Sequence, residues 1–335
     1  MSRPRSFLVI RWGRLGDLVL AAAATRELRS AFPEAAIHFA VKEELAGMAE
    51  LLPGVDRVLP FGGGGAGALL RYARSLPERR YDRVVDLQGN TRSRWLALLT
   101  GPGRTVRYPR LTMRRRALVR WKRGKGEHSR PVWDRYLDAV ERLGTAVRRD
   151  PPRLLPVEEK GTPGAVLFAP GAGRATKRWP AERFAETARR IGRESGRPIL
   201  LLGSEGEKPL LERVAAGAGG GARVLAGIPF RSTVAHLRDG ALLITNDSGP
   251  MHVAGAVGTP VIALFGPTVP ELGFGPAGEK DVVLSLDLEC RPCSLHGGDR
   301  CPLPDRSHTC MTGLDADRVV EAANRILADA PPADG

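Results

Sequence analysis

The segment TNDSGPMHVAGAVGTPVIALFGPT, residues 245–268, carries the densest chemical signal in the chain. An apolar run ends in a turn of Asp247, Ser248 and Gly249, and a small-residue helix opens at about Pro250. The start of a helix offers backbone N–H groups without intrahelical partners and a partial positive charge, which suit a diphosphate. Ser248 would cap that helix or bond a phosphate. Gly249 would let backbone approach a ligand closely, and His252 falls in the first turn. The same residues also fit an ordinary capped turn with a satisfied histidine.

Two further stretches have the same build. FAPGAGRATKRWPAERF, 168–184, is an apolar run followed by a glycine loop that holds Gly171. Pro180 stands where proline is tolerated at a helix start, so Lys177 projects from the loop toward a cleft or into solvent. In LLGSEGEK, 201–208, Glu205 or Glu207 has the chemistry to accept from ribose hydroxyls. In the first half, RWGRLGDLV places Gly13, Gly16 and Asp17 after the first apolar run without forming GxGxxG. Asp17 is there either a helix cap or a general base at the carboxyl edge of a sheet, where open α/β sheets bind ligands.

Cys290, Cys293, Cys301 and Cys310 are confined to one region, with His296 and His308 among them. CxxC followed by two more cysteines suits tetrahedral zinc, but the later spacings match no standard pairing. Reduced thiols packed in a loop are the expected state, and disulfides are not expected in the cytoplasm.

The elements that must position these groups follow from periodicity. Short apolar runs at 7–12, 37–41, 57–60, 83–87 and 105–108 alternate with helical segments such as 18–31. The proline-rich stretch DPPRLLPVEEKGTPG breaks the rhythm. Alternation then restarts, with strands at 165–169, 198–202, 222–225, 241–245 and 261–265 and helices at 181–194 and 206–216. The expectation is α/β throughout: a doubly wound parallel-sheet domain at 1–150, a linker at 151–164, and a second such domain at 165–335. GGGGAG at 62–67 reads as a loop.

A length of 335 residues is ample for two cores. An apolar share of 42% and a charged share of 26% argue against disordered or fibrous chains. The apolar run 7–10 is cut by Arg11, and 18–24 is far shorter than the roughly 20 residues of a membrane span, so a cytoplasmic chain is expected. The net charge of +14 is uneven: residues 90–130 alone carry +12. Clustered cations favour anionic surfaces, whereas a solvated arginine-rich face is the plainer alternative. Trp95 and Trp121 lie among these charges, although Trp95 in WLALL also suits buried packing.

The stretches RWGRLGDLVLAAAATRELRSAFP, YDRVVDLQGNTRSR, APGAGRATKRWPAERF, LLGSEGE and TNDSGPMHVAGAVGTPVIALFGPT together resemble the glycosyltransferase family 9 heptosyltransferases of bacterial lipopolysaccharide core assembly. The resemblance runs from about Arg11 to Thr268. It implies the GT-B architecture, two Rossmann-like domains facing across a cleft, the first binding acceptor and the second nucleotide sugar. It implies an inverting reaction with no metal and no cofactor. Asp17 then matches the base that deprotonates the acceptor, and Lys177 the cation facing the departing diphosphate. Gly171, Glu205, Asp247, Ser248, Gly249 and His252 match the donor site. Gly16, Asp86, Gln88 and Arg92 match the acceptor side.

The implied partners are a nucleotide sugar of the ADP-heptose kind, a lipid-linked oligosaccharide acceptor, and the anionic inner face of the cytoplasmic membrane. Nucleic acid is not among them. Alternatives are a related transferase for another sugar or acceptor, and a non-catalytic nucleotide-binding protein of the same fold. A dinucleotide oxidoreductase lacks its GxGxxG here.

Overall fold

The computed structural model describes residues 4–101, 104–122 and 130–330. The chain divides into two compact units, Met1–Leu111 with Arg130–Pro156, and Thr112–Ser129 with Val157–Gly335.

In the first unit the described elements run β1 (Ser6–Ile10), α1 (Leu15–Leu20), α2 (Ala22–Ala31), β2 (Ala36–Lys42), α3 (Ala46–Ala49), β3 (Arg57–Phe61), α4 (Ala66–Ser75), β4 (Arg83–Asp86), α5 (Thr91–Leu99) and β5 (Arg104–Arg107). Helix α6 (Thr112–Trp121) follows and groups with the second unit, before α7 (Val132–Glu141) returns to the first. The strands pair in parallel in the order β3-β2-β1-β4-β5. β1, SFLVI, is buried at every position, as expected of a central strand covered on both faces. Phe7 stands beside Ile37 on one side and Arg83 on the other.

The second unit continues with β6 (Val166–Ala169), α8 (Ala181–Ser195), β7 (Ile199–Gly203), α9 (Lys208–Gly217), β8 (Ala222–Ala226), α10 (Phe230–Asp239), β9 (Leu242–Asn246), α11 (Gly249–Val257), β10 (Val261–Leu264), β11 (Val282–Leu284), α12 (Thr309–Thr312) and α13 (Ala316–Ala328). Its parallel order is β11-β10-β9-β6-β7-β8. α8 repeats apolar residues on one face, so Phe184, Ala185, Ala188 and Ile191 join Val166 and Phe168 in one core. Gly196, at φ 66°, ends that helix in a conformation that favours glycine.

In both units the chain reverses direction across the sheet between two central neighbours: β1 and β4 in the first, β6 and β9 in the second. The crevice outside the carboxyl ends of such a strand pair is where open α/β sheets bind ligands.

The strands read from the sequence form within a residue or two of their expected bounds, and β11 is an addition. The helix expected at 18–31 forms as α1 and α2. Ala66 and Gly67, read as loop, open α4 instead. Segment 112–122, kept with the first domain by the sequence reading, groups with the second unit for a physical reason. Leu118 packs with Val269 and Leu272, and the Arg115 guanidinium lies 5.1 Å from the Phe274 ring centroid. The chain passes between units at Pro156 and Val157, within the proline-rich stretch. Leu155 N donates to Leu51 O at 2.9 Å on one side of that point, and Arg238 donates to Val157 O at 2.6 Å on the other.

Candidate functional site

At the carboxyl end of β1 the chain turns through Arg11 to Arg14 into α1. Arg11 is almost fully buried. One arm of its guanidinium is ion-paired with Asp17, and Nη1 donates to Gln88 Oε1 at 2.8 Å. The same Gln88 oxygen accepts from Trp12 N at 3.1 Å, so the loops after β1 and β4 share one bridging side chain. A Cβ on Gly13 would stand 2.8 Å from Arg11 Cζ, so a larger residue there would push the guanidinium aside. Burial opposes the Arg11 charge, but Tyr136 and Asp17 beside it outweigh burial and hold the guanidinium protonated above its usual range. Asp17 is no helix cap: α1 starts after Arg14 without a side-chain cap, and Asp17 lies in its first turn.

The four residues expected on the acceptor side divide. Gln88 and Arg92 line a cavity of about 370 Å³ with Trp12, Arg14 and Lys42. Gly16 is buried within α1. Asp86 is fully buried: Oδ1 accepts from Gln88 N at 3.1 Å and Gly89 N at 2.8 Å, Oδ2 from Ser93 Oγ at 3.0 Å and Arg107 Nε at 3.3 Å. Asp86 therefore shapes the loop and presents nothing to a ligand.

In the second unit, Lys177 and Asp247 meet between the loops after β6 and β9. Lys177 Nζ donates to Asp247 Oδ2 at 2.5 Å and to Asp247 O at 3.3 Å. Thr268 Oγ1 donates to the same carboxylate oxygen at 2.6 Å. Two of the three ammonium N–H groups are thus used within the protein. Asn246 joins the two loops, accepting from Trp179 N at 3.0 Å and donating to Pro170 O at 2.8 Å.

Ser248 occupies the N-cap position of α11 but makes no capping bond, and its hydroxyl pairs with Thr245 Oγ1 at 3.1 Å. The N–H groups of that helix start therefore lack a side-chain cap. His252 is buried in the first turn. A Cβ on Gly171 would collide with the Glu207 carboxylate, which also accepts from Ser204 N and Oγ at 2.9 Å in a capping box. Glu205 is exposed and lies beside Gly227.

The cysteine-rich segment folds over the Lys177 loop. Thr176 Oγ1 donates to Gly298 O at 2.9 Å, and Gly298 N donates back at 2.8 Å. Buried Arg291 donates to the carbonyls of Gly266, Leu286 and, at 3.0 Å, Thr268. Among the described residues no group of three or more His, Cys, Asp or Glu is placed to hold a metal ion. Burial raises the Cys293 thiol and pushes Cys310 up to about 11, so both favour the protonated form.

Several cations of the basic segment are engaged within the protein. Arg107 pairs with Asp86, Arg110 donates to Gly89 O at 2.9 Å, and Lys122 donates to Cys290 O at 3.0 Å. Arg130 pairs with Asp134 and Asp138. Residues 123–129 lie outside the described residues. Sequence reasoning missed Arg11, Asn246, Thr268 and Arg291 as organisers of the site. Asn246 and Thr268 belonged to a motif already singled out. Arg11 was visible as a charge directly after an apolar strand. Nothing local marked Tyr136 or Arg291.

A family model for glycosyltransferase family 9 (heptosyltransferase) matches residues 69–299. Lipopolysaccharide heptosyltransferase 1 of Pseudomonas aeruginosa is 29% identical over 310 residues, covering 85% of each chain. A solved family 9 glycosyltransferase from Veillonella parvula superposes with a TM-score of 0.80 at 24% identity, over 98% of this chain and 99% of that one. The E. coli ADP-heptose lipopolysaccharide heptosyltransferase II structure gives a TM-score of 0.76 at 23% identity, over 96% and 98%. The two parallel-sheet units thus have the GT-B fold of those proteins. With the family model covering well over half of its length, the chain belongs to glycosyltransferase family 9, the heptosyltransferases.

Proposed function

We propose that this protein is an inverting, metal-independent transferase that moves a heptose from an ADP-linked donor to a lipid-anchored lipopolysaccharide core acceptor. The observation that carries this reading is the placement of one charged pair at each sheet's reversal point: Arg11 with Asp17 after β1, and Lys177 with Asp247 between β6 and β9. The names of the relatives supply the sugar and the acceptor class. Lipopolysaccharide heptosyltransferase is what the P. aeruginosa relative is called, and ADP-heptose stands in the name of the E. coli structure.

In this reading the first unit binds the acceptor beside Gly16, Gln88 and Arg92, and the second binds the donor beside Gly171, Glu205, Ser248, Gly249 and His252. The Asp17 carboxylate takes the proton of the acceptor hydroxyl. The oxygen attacks the anomeric carbon from the face opposite the phosphate, the carbon–oxygen bond to the β-phosphate breaks, and ADP leaves with the bonding pair. Negative charge grows on that phosphate as the bond breaks. Lys177 and the uncapped start of α11 stabilise it more in the transition state than in the ground state. Asp247 and Thr268 hold Lys177 in place. Because the lysine and the helix start already supply positive charge, no metal is required. The enzyme works at the cytoplasmic face of the membrane that carries its acceptor; among the described residues no helix is long and apolar enough to cross one.

A thermal-shift panel of ADP, UDP, GDP and NADH tests the donor side. A ligand at 100 times its Kd stabilises by about 2.7 kcal/mol, which such a scan resolves. ADP should give the largest shift; a larger shift with UDP, GDP or NADH overturns the donor assignment.

A further inference from the structure

Helix α5 presents an outward face that its own packing does not explain. Ser93, Leu96 and Ala97 are buried, and Thr100 just beyond the helix is buried with them. On the opposite side Trp95 is 56% exposed, Leu98 69% and Leu99 40%. At about 100° per residue these three form the centre of the exposed arc, with Arg92 on one border and Arg94 on the other. Exposed large apolar side chains grouped on one helix face are the kind of surface through which proteins make contacts.

The charge around the face selects the partner. Among the described residues neither Arg92 nor Arg94 has an ion-pair partner, and residues 87–111 of the same unit contain no Asp or Glu. Arg80 adds a further cation at the end of the helix, because a Cβ on Gly101 would stand 3.2 Å from its Nε. We propose that this face of α5 docks on the anionic surface of a phospholipid membrane. Trp95, Leu98 and Leu99 enter the boundary between headgroups and acyl chains, where tryptophan is favoured, and the bordering arginines meet headgroup phosphates. A second copy of the same face would bring Arg92 and Arg94 against like charges, which disfavours self-association.

The first turn of the same helix lines the cavity that holds Gln88 and Arg14. Nine residues span about 13 Å, so docking through the later turns brings that cavity within about this distance of the bilayer surface. That the membrane carries the acceptor rests on the transferase reading; the docking itself does not.

The test uses the full chain and extruded vesicles of phosphatidylglycerol with phosphatidylethanolamine, against vesicles of phosphatidylcholine alone. The parent should sediment with the anionic vesicles, less so at high salt, and hardly with the neutral ones. The double variant Trp95→Ser, Leu98→Gln should bind anionic vesicles about tenfold or more weakly, and Arg94→Gln roughly fivefold more weakly. ADP-induced thermal shifts should match the parent in both variants, which establishes that they fold. Equal vesicle binding by parent and double variant overturns the proposal, and so does equal parental binding to neutral vesicles. A parental dimer that Leu98→Gln dissolves, without vesicle binding, also overturns it and assigns the face to self-association. Transfer to a lipid-free acceptor glycan separates the two readings. It should be unchanged in the double variant, whereas a parent that binds vesicles but transfers no heptose retains the docking and loses the transferase.

Discussion

Arg11 and Asp17 form an ion pair at the carboxyl end of β1, and Gln88 holds another arm of the same guanidinium at 2.8 Å. The carboxylate is thereby fixed in the first turn of α1 without serving as its cap. If Asp17 is the proton acceptor, Asp17→Asn keeps the shape and the hydrogen bond to Arg11 but loses the base. Turnover at saturating substrates should fall about 10²–10⁴ fold, with the ADP-induced thermal shift retained. A variant that turns over like the parent removes Asp17 from the chemistry.

The same pair should be energetically coupled. Arg11 is almost fully buried, so losing Asp17 leaves a buried charge short of its partner. In a double-mutant cycle with Arg11→Met and Asp17→Asn, chemical unfolding should return a coupling energy of about 0.5–3 kcal/mol. Additivity within about 0.3 kcal/mol would mean that the pair is incidental.

Lys177 is held by Asp247 Oδ2 at 2.5 Å, with Thr268 on the same oxygen. Lys177→Met removes the charge with similar packing, and kcat/KM should drop about 10²–10³ fold, the usual cost of one donor to a developing anion. Turnover by the parent should persist in EDTA. An EDTA-sensitive rate that magnesium restores would defeat the metal-independent reading.

How much of this was legible in the sequence depends on chain separation. The turn before α11 could be read because one local stretch holds the strand, the turn residues and the helix start. The ion pair of Lys177 with Asp247 could not, since the partners are 70 residues apart and only the adjacency of β6 and β9 brings them together. Asp86 was placed on the acceptor side by its match to the family's stretch, and only the fold shows Ser93, Arg107 and two backbone N–H groups enclosing it. Segment 112–122 followed its neighbours in the sequence reading, whereas the partners of Leu118, Val269 and Leu272, lie some 150 residues onward. Trp95 in WLALL suits either a charged surface or buried packing, and the burial of Leu96 and Ala97 leaves the tryptophan outward.

Two histidines make stability depend on pH in a defined direction. Burial lowers the pKa of His38, whose Nδ1 lies 2.9 Å from Tyr81 Oη, and burial with the nearby Arg223 lowers that of His236. Both prefer to be neutral in the folded state. Above about pH 6.5, the ordinary histidine value, folded and unfolded forms are both neutral and nothing is lost. As pH falls below it, the unfolded chain binds protons that the folded chain declines, and stability drops by at most about 1.4 kcal/mol per pH unit for each group. Asp134 and Asp239, lowered by their arginine partners, act only in the acid range of carboxylates and do not contribute in this window. Tm should therefore decline between about pH 7 and 5.5, and the double variant His38→Gln, His236→Gln should flatten that decline even if its Tm at pH 7.5 is lower. Glutamine keeps a hydrogen-bonding group for Tyr81 without a titrating one. Parallel curves for parent and double variant across this interval would show that the slope arises from other groups.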